Sequence, residues 1–87
     1  MVLSNEKIEL TVVVNGQPTQ VVANEEAPLL TVVEKALEQT GNTGQPPENW
    51  ELRNASGVEL DVHKKVEDYH FERGTQLFLN LKAGVGG

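Results

Sequence analysis

The chain has 87 residues, enough for one domain with a single modest core and too few for an enzyme with a deep enclosed pocket. A formal charge of −6 and a pI near 4.7 argue against nucleic acid or an anionic membrane as partner, because both require a basic face. The absence of cysteine excludes disulfides, thiolate metal sites and a cysteine nucleophile. No apolar run approaches the roughly 18 residues of a membrane span, and the N-terminus lacks a basic-then-apolar signal. The expectation is a cytoplasmic protein whose partners present basic surfaces and whose core is built mainly of Val and Leu.

After a loose start over Met1 to Asn5, Ile8, Leu10, Val12 and Val14 alternate with Lys7, Glu9, Thr11 and Val13. This period of two predicts a strand with one buried face. Asn15-Gly16 tolerates the positive φ angles of a type I′ turn and predicts a hairpin. Gln17 to Ala23 supplies the returning strand, with Pro18 suited to an edge because it has no amide hydrogen. Val21, or Val22 if a bulge shifts the register, continues the buried face.

Pro28 suits a first helical position, and Glu25-Glu26 suits the positive end of a helix dipole. Leu29, Val32, Val33, Ala36 and Leu37 then fall on one helical face, with Glu34, Lys35 and Glu38 on the other. Gln39 or Thr40 should end this helix, with Gly41 as a left-handed cap. Asn42 to Asn49, containing Pro46-Pro47, is a loop. Trp50 to Arg53 and Val58 to Leu60 are expected to be short strands about the Asn54-Ala55-Ser56-Gly57 turn. Lys64 to Phe71 holds a helical turn with Val66, Tyr69 and Phe71 inward, and Leu77, Leu79 and Leu81 mark a last strand from Thr75 to Leu81.

A hairpin, one crossing helix and a late strand define an α+β chain, a mixed sheet of four to five strands packed on one helix. The first and last strands lie parallel at its centre, which is the β-grasp arrangement. Residues 1–81 form the domain and residues 82–87 a flexible tail.

That tail, Lys82-Ala83-Gly84-Val85-Gly86-Gly87, is the feature most suggestive of chemistry. Glycine has no Cβ, so a glycine-rich segment passes through a slot too narrow for other residues. A carboxylate on Gly87 is the least hindered that a protein can offer, although a frayed terminus would look the same. Elsewhere no catalytic residues and no metal site are expected. His63 and His70, with Asp61, Glu67 and Asp68 nearby, lack any feature that fixes convergent ligands. Ser4, Ser56, Asp61 and the histidines form no nucleophile signature. Trp50 is expected to pack in the core, and Tyr69 to pack its ring and hydrogen-bond its hydroxyl to a nearby backbone carbonyl.

From Lys7 onward the chain resembles ubiquitin and its bacterial relatives. Gly44-Gln45-Pro46-Pro47-Glu48 is similar to the loop after ubiquitin's helix, Val66-Glu67-Asp68-Tyr69-His70-Phe71 to its late turn, and Thr75 to Leu81 to its last strand. The Gly86-Gly87 end coincides with ubiquitin's own. More narrowly, Glu34-Lys35-Ala36-Leu37, Pro46 to Arg53 and Leu81 to Gly87 resemble bacterial ubiquitin-like proteins encoded beside homologues of an activating enzyme, a conjugating enzyme and a JAB-type metallopeptidase. The resemblance implies a protein modifier in a bacterial ubiquitination-like pathway, with antiviral defence among the roles of such pathways. An activating enzyme would adenylate Gly87 with ATP, which is that enzyme's co-substrate; this chain itself is expected to bind no cofactor. Cysteines on the activating and conjugating enzymes would carry the chain as a thioester to target proteins, and the peptidase would act on conjugates. Gly86 and Gly87 would be the reacting end, and Lys82, Ala83, Gly84 and Val85 the ribbon that the enzymes grip. Lys7, Lys35, Lys64 and Lys65 are candidate acceptors for chain formation, against the plainer reading of solvated surface lysines. The free protein is expected to be a monomer.

Two departures matter. Ubiquitin's tail carries arginines where this chain offers only Lys82, which implies a dedicated activating enzyme. Ubiquitin's apolar receptor patch aligns near Asn15, Arg53 and Asn80, all polar here, so ubiquitin receptors should not bind through it. The resemblance also leaves room for a sulfur carrier ending in a thiocarboxylate, and for a plain β-grasp interaction domain with an inert tail.

Overall fold

The computed structural model describes residues 6–84. Strand β1 (Lys7–Val14) and strand β2 (Gln17–Asn24) form a hairpin, followed by helix α1 (Leu30–Gln39), strand β3 (Trp50–Arg53) and strand β4 (Gln76–Leu81). Short 3₁₀ turns cover Pro47–Asn49 and Val66–Tyr69. The four strands make one mixed sheet in the order β2-β1-β4-β3, with β1 and β4 parallel at its centre. This is the expected β-grasp.

The hairpin register follows from its turn. Asn15 at φ 49° and Gly16 at φ 87° close a two-residue loop that pairs Val14 with Gln17. Positive φ at both central residues matches the twist of the flanking strands. The register is unbulged, so Val21 is buried and Val22 is half exposed. Leu10, Val12 and Val14 therefore share the inner face with Val21, Ala23, Leu77, Leu79 and Leu52, each at most 2% exposed. Leu29 at the N-cap and Val32, Val33, Ala36 and Leu37 of α1 complete that core.

Helix α1 ends as its sequence requires. Gly41 at φ 74° donates to the Glu38 carbonyl, and the Asn42 amide reaches back to Leu37 at 2.8 Å. Together these form a Schellman cap, which satisfies carbonyls that the helix end leaves open. The helix start differs from expectation. Pro28 lies outside the helix, ahead of the N-cap residue Leu29, and no acidic residue occupies the first turn. No side chain caps this end. Instead, the Leu29 and Leu30 amides donate to the carbonyls of Lys64 and Val62, both at 2.8 Å. The Val66 and Glu67 amides donate back to Ala27 and Glu25 at 2.9 and 2.8 Å. The helix start is thus held by a distant backbone segment, and a local-signal reading cannot find such a partner.

The expected strand over Val58 to Leu60 is also absent. Only one isolated bridge, Arg53 to Glu59, forms there. The Asn54 side chain accepts from the Ser56 and Val58 amides at 2.9 Å each, and this side-chain turn competes with ladder formation. Tyr69 behaves as expected. Its hydroxyl accepts from the Asp61 amide at 2.6 Å and lies 3.3 Å from the Asp61 carbonyl, while its ring stacks on Phe71.

Strand β2 is an outer strand, and the residues whose backbone groups face away from β1 are Pro18, Gln20, Val22 and Asn24. Pro18 stands where an amide would have no ladder partner, so its missing hydrogen leaves the sheet intact. The Gln39 side chain donates to the Gln20 carbonyl at 2.7 Å, and the Lys35 ammonium to the Val22 carbonyl at 3.1 Å.

Leu79→Ala should destabilise the domain by about 2–5 kcal/mol, the usual range for truncating a buried leucine. Gly41→Ala should cost about 1–2 kcal/mol, because an L-residue is strained at positive φ. Chemical denaturation checks both, and a Leu79→Ala midpoint matching the parent protein would contradict the assigned core.

Candidate functional site

The candidate site is the exit of the chain from the sheet. β4 lies between β1 and β3, so the segment after Leu81 leaves beside the first residues of β3. The Lys82 amide donates to the Asn49 carbonyl at 2.9 Å, which continues the β3–β4 ladder by one residue. Asn49 is itself well braced. Its amide donates to Pro46 at 2.9 Å within the 3₁₀ turn, and its side-chain amide donates to Gln45 Oε1 at 2.8 Å. The Pro46-Pro47 loop thus anchors the root of the tail. Pro46 sits in extended geometry and Pro47 at the first position of the turn, both of which suit a fixed φ.

Of the residues expected to be gripped by enzymes, Lys82, Ala83 and Gly84 are exposed, with Lys82 tied to the sheet through its backbone. Nothing lies within 4 Å of where a Cβ on Gly84 would stand. Val85 and the expected reacting residues, Gly86 and Gly87, lie outside the described residues.

The candidate acceptor lysines are scattered over the surface. Lys7 opens β1 and is exposed, and Lys35 covers the outer edge of β2. Lys64 holds its ammonium 6.0 Å from the Tyr69 ring centre, and Lys65 stands 3.9 Å from a Glu67 carboxylate oxygen in an exposed pair. Such contacts are weak at a surface and leave these amines accessible. Their placement neither gathers them nor singles one out.

The sheet face opposite the helix carries the positions aligned with ubiquitin's receptor patch. There Arg53 pairs with Phe78, and Asn80 with Glu51. Arg53 is engaged with the Glu51 carboxylate at 2.8 Å and the Gly57 carbonyl at 2.7 Å. A half-buried pair, Val13 beside Phe78, is the apolar remnant of this face. That pair was not singled out from the sequence, because its two members belong to distant strands.

A groove of about 500 Å³ opens beside the tail root, between α1, β3 and the 59–63 loop, with Lys82 on its rim. Trp50 forms part of its wall. As expected, Trp50 is a core residue, 6% exposed, and its indole N–H has no acceptor among the described residues. His63 also lines this groove, whereas His70 lines a separate one. Among the described residues, no three His, Asp or Glu side chains converge as metal ligands. No described helix is long and apolar enough to cross a membrane.

A four-stranded mixed sheet on one helix, with a last central strand running out into a diglycine segment, defines a ubiquitin-like domain. Solved structures agree. A designed protein based on ubiquitin superposes with a TM-score of 0.75 at 26% identity, covering 93% of this chain and 95% of the other. Ubiquitin of Caldiarchaeum subterraneum superposes with a TM-score of 0.74 at 20% identity, covering 94% of this chain and all of its own. A ubiquitin-like domain from Arabidopsis thaliana gives 0.71 at 19% identity over 88% and 79% of the two chains. Within that superfamily the chain belongs to the family described as Protein of Unknown function (DUF2604), whose model matches residues 4–87. The uncharacterized protein y4jI of Sinorhizobium fredii (strain NBRC 101917 / NGR234) is 57% identical over 81 residues. That match covers 93% of this chain and 62% of the relative's length, so the chain spans less than two thirds of this relative.

The Lys82 amide should exchange with solvent at least about tenfold more slowly than the Ala83 amide, since only the former is held by a ladder bond. Residue-resolved hydrogen exchange checks this, and equal rates would place the start of the free segment one residue earlier.

Proposed function

We propose that this domain is a protein modifier, joined to other proteins through the Gly87 acyl group. The supporting observation is the combination of a ubiquitin-like fold with a diglycine segment that follows the strand leaving the centre of the sheet. Residues 82–84 are exposed, so an enzyme can approach the segment along its backbone. Any residues that follow Gly87 in a longer precursor would first be removed by a peptidase.

The chemistry is supplied in trans, because the chain has no thiol and no nucleophile signature. A carboxylate is a poor acyl donor at neutral pH. Attack of a Gly87 carboxylate oxygen on the α-phosphorus of ATP forms an acyl adenylate and releases pyrophosphate. A cysteine thiolate of the activating enzyme then attacks the acyl carbon and releases AMP. Transfer to a thiolate of a conjugating enzyme preserves the thioester, and a target amine finally displaces that thiolate to form an amide. The absence of side chains at positions 86 and 87 leaves the acyl carbon open at each step. In this reading Lys82 to Val85 are the gripped ribbon, a JAB-type metallopeptidase reverses the linkage, and the pathway is a bacterial, cytoplasmic one with antiviral defence as a candidate role.

Incubation with the cognate activating enzyme and ATP should give a thiol-sensitive adduct of the two proteins, and fusing a tag after Gly87 should abolish it. An adduct that forms equally well with the tagged protein would overturn the proposal. Intact mass measurement on protein from native cells checks the sulfur-carrier alternative. Replacement of one oxygen by sulfur on the free chain would favour that reading, whereas branched diglycine remnants on other proteins favour the modifier.

A further inference from the structure

We propose that the groove beside the tail root docks a basic, extended peptide segment of the activating enzyme, a partner role that rests on the modifier reading above. Two sets of side chains and one set of backbone groups carry the proposal.

The first set is the groove's floor, which is apolar. Leu30 and Val33 of α1 face Trp50 and Leu52 of β3 across it. The second set is its rim, which is acidic. Glu34, Glu48, Glu51, Glu59 and Asp61 come from three separate stretches of the chain and converge around the opening. Of these five, only Glu51 has an ion-pair partner among the described residues, Arg53 at 2.8 Å. The remaining rim carboxylates are exposed. Lys82 stands alone among the rim residues as a lysine or arginine. An apolar floor under a rim whose carboxylates outnumber its one lysine complements a segment with an apolar side chain flanked by Lys or Arg.

The backbone groups favour an extended segment. The Lys82–Asn49 bond fixes which residues of β3 face β4, and Trp50 and Leu52 face the other way. The Trp50 amide donates to Pro47 and the Leu52 carbonyl accepts from Leu60. The Trp50 carbonyl and Leu52 amide are left without a backbone partner among the described residues. They flank Glu51 on the side of β3 away from β4, between the groups taken by Pro47 and Leu60, so that one residue of an extended segment can bond to both.

The place of the groove selects the occupant. A protein that acts on residue 87 must stand where residue 82 departs, and Lys82 is part of the groove's rim. Docking there grips the domain and leaves the glycine segment free to enter an active site. Target proteins meet the chain after activation and need no such hold on its root.

The chain has a single tryptophan, so its fluorescence reports the groove directly. The probes are a capped hexapeptide, Lys-Leu-Arg-Val-Lys-Leu, and a counterpart with glutamate at its basic positions. The basic probe should shift the Trp50 emission saturably, and the acidic one should not. Affinity should fall at least tenfold in a Glu48→Lys/Glu59→Lys variant, and should weaken from 50 to 500 mM salt in the parent protein. No emission change, or equal binding of both probes, would overturn the groove chemistry. Peptide binding should survive a C-terminal tag, which separates this proposal from the modifier reading. If the peptide binds but the parent protein forms no thioester with its activating enzyme, the modifier reading fails and the basic-peptide groove stands without its assigned owner. In the thioester assay the charge-reversed variant should raise KM at least tenfold with kcat little changed. An unchanged KM would overturn the assignment to the activating enzyme and direct the search to basic target segments.

Discussion

The parallel pairing of β1 with β4 is the constraint on which everything else depends. It joins residues about 65 positions apart in the chain, Thr11 to Val14 with Gln76 to Leu79. It also seats Val12, Leu77 and Leu79 where none is exposed. Parallel strands cannot be joined by a tight turn, so the chain between them must cross over, and α1 is that crossing. Burial of the Leu29–Leu37 face then closes the core. Because β4 is flanked on both sides, its end is fixed in three dimensions. The direction in which residue 82 leaves is set by the most buried part of the molecule, while the residues themselves are among the most exposed.

This arrangement separates stability from chemistry. The inner face is mainly Val and Leu, joined by Ala23, Ala36 and Trp50, and no polar or charged residue is buried among the described residues. Function must then be read from surfaces, and here the chain departs from ubiquitin while keeping its fold. The face opposite the helix places Arg53 and Asn80 where ubiquitin is apolar, with Arg53 occupied by Glu51 and Gly57. The net negative charge is concentrated in part around the tail root, where ubiquitin's own tail is basic in the resemblance drawn above. A domain built this way addresses a different set of partners through a shared scaffold.

Much of this was visible in the sequence, for identifiable reasons. The alternation over Ile8 to Val14, the Asn15-Gly16 turn, the helical face of α1 and its Gly41 cap are local signals, and each appears where the residues place it. The misses were non-local or competitive. Pro28 and the glutamates before it suggested a helix start governed by its own flanking residues, whereas the backbone of Val62 and Lys64 performs that task. Val58 to Leu60 had strand-like composition, but the Asn54 side chain turned the chain too tightly for a ladder. At the site, the tail was legible as a motif, and the Pro46-Pro47 stretch as a polar loop with a likeness to ubiquitin. Its mechanical role, presenting Asn49 to Lys82, is a contact between distant stretches that no local pattern encodes. The acidic rim could not be found at all by reading along the chain, since its members are separated by up to 27 positions, from Glu34 to Asp61.

The cover on β2 has a consequence for how copies of this protein coexist. A bare outer strand is a template on which another chain can add, and that is a common route to aggregation. Here the carbonyls of Gln20 and Val22 are already occupied by side chains of α1, and Pro18 offers no hydrogen. Stacking of one molecule on the next would have to displace Gln39 and Lys35 first. At this edge the domain is therefore protected when many copies are held close together on one scaffold. Loss of the Lys35 charge would weaken that protection at one of its two points.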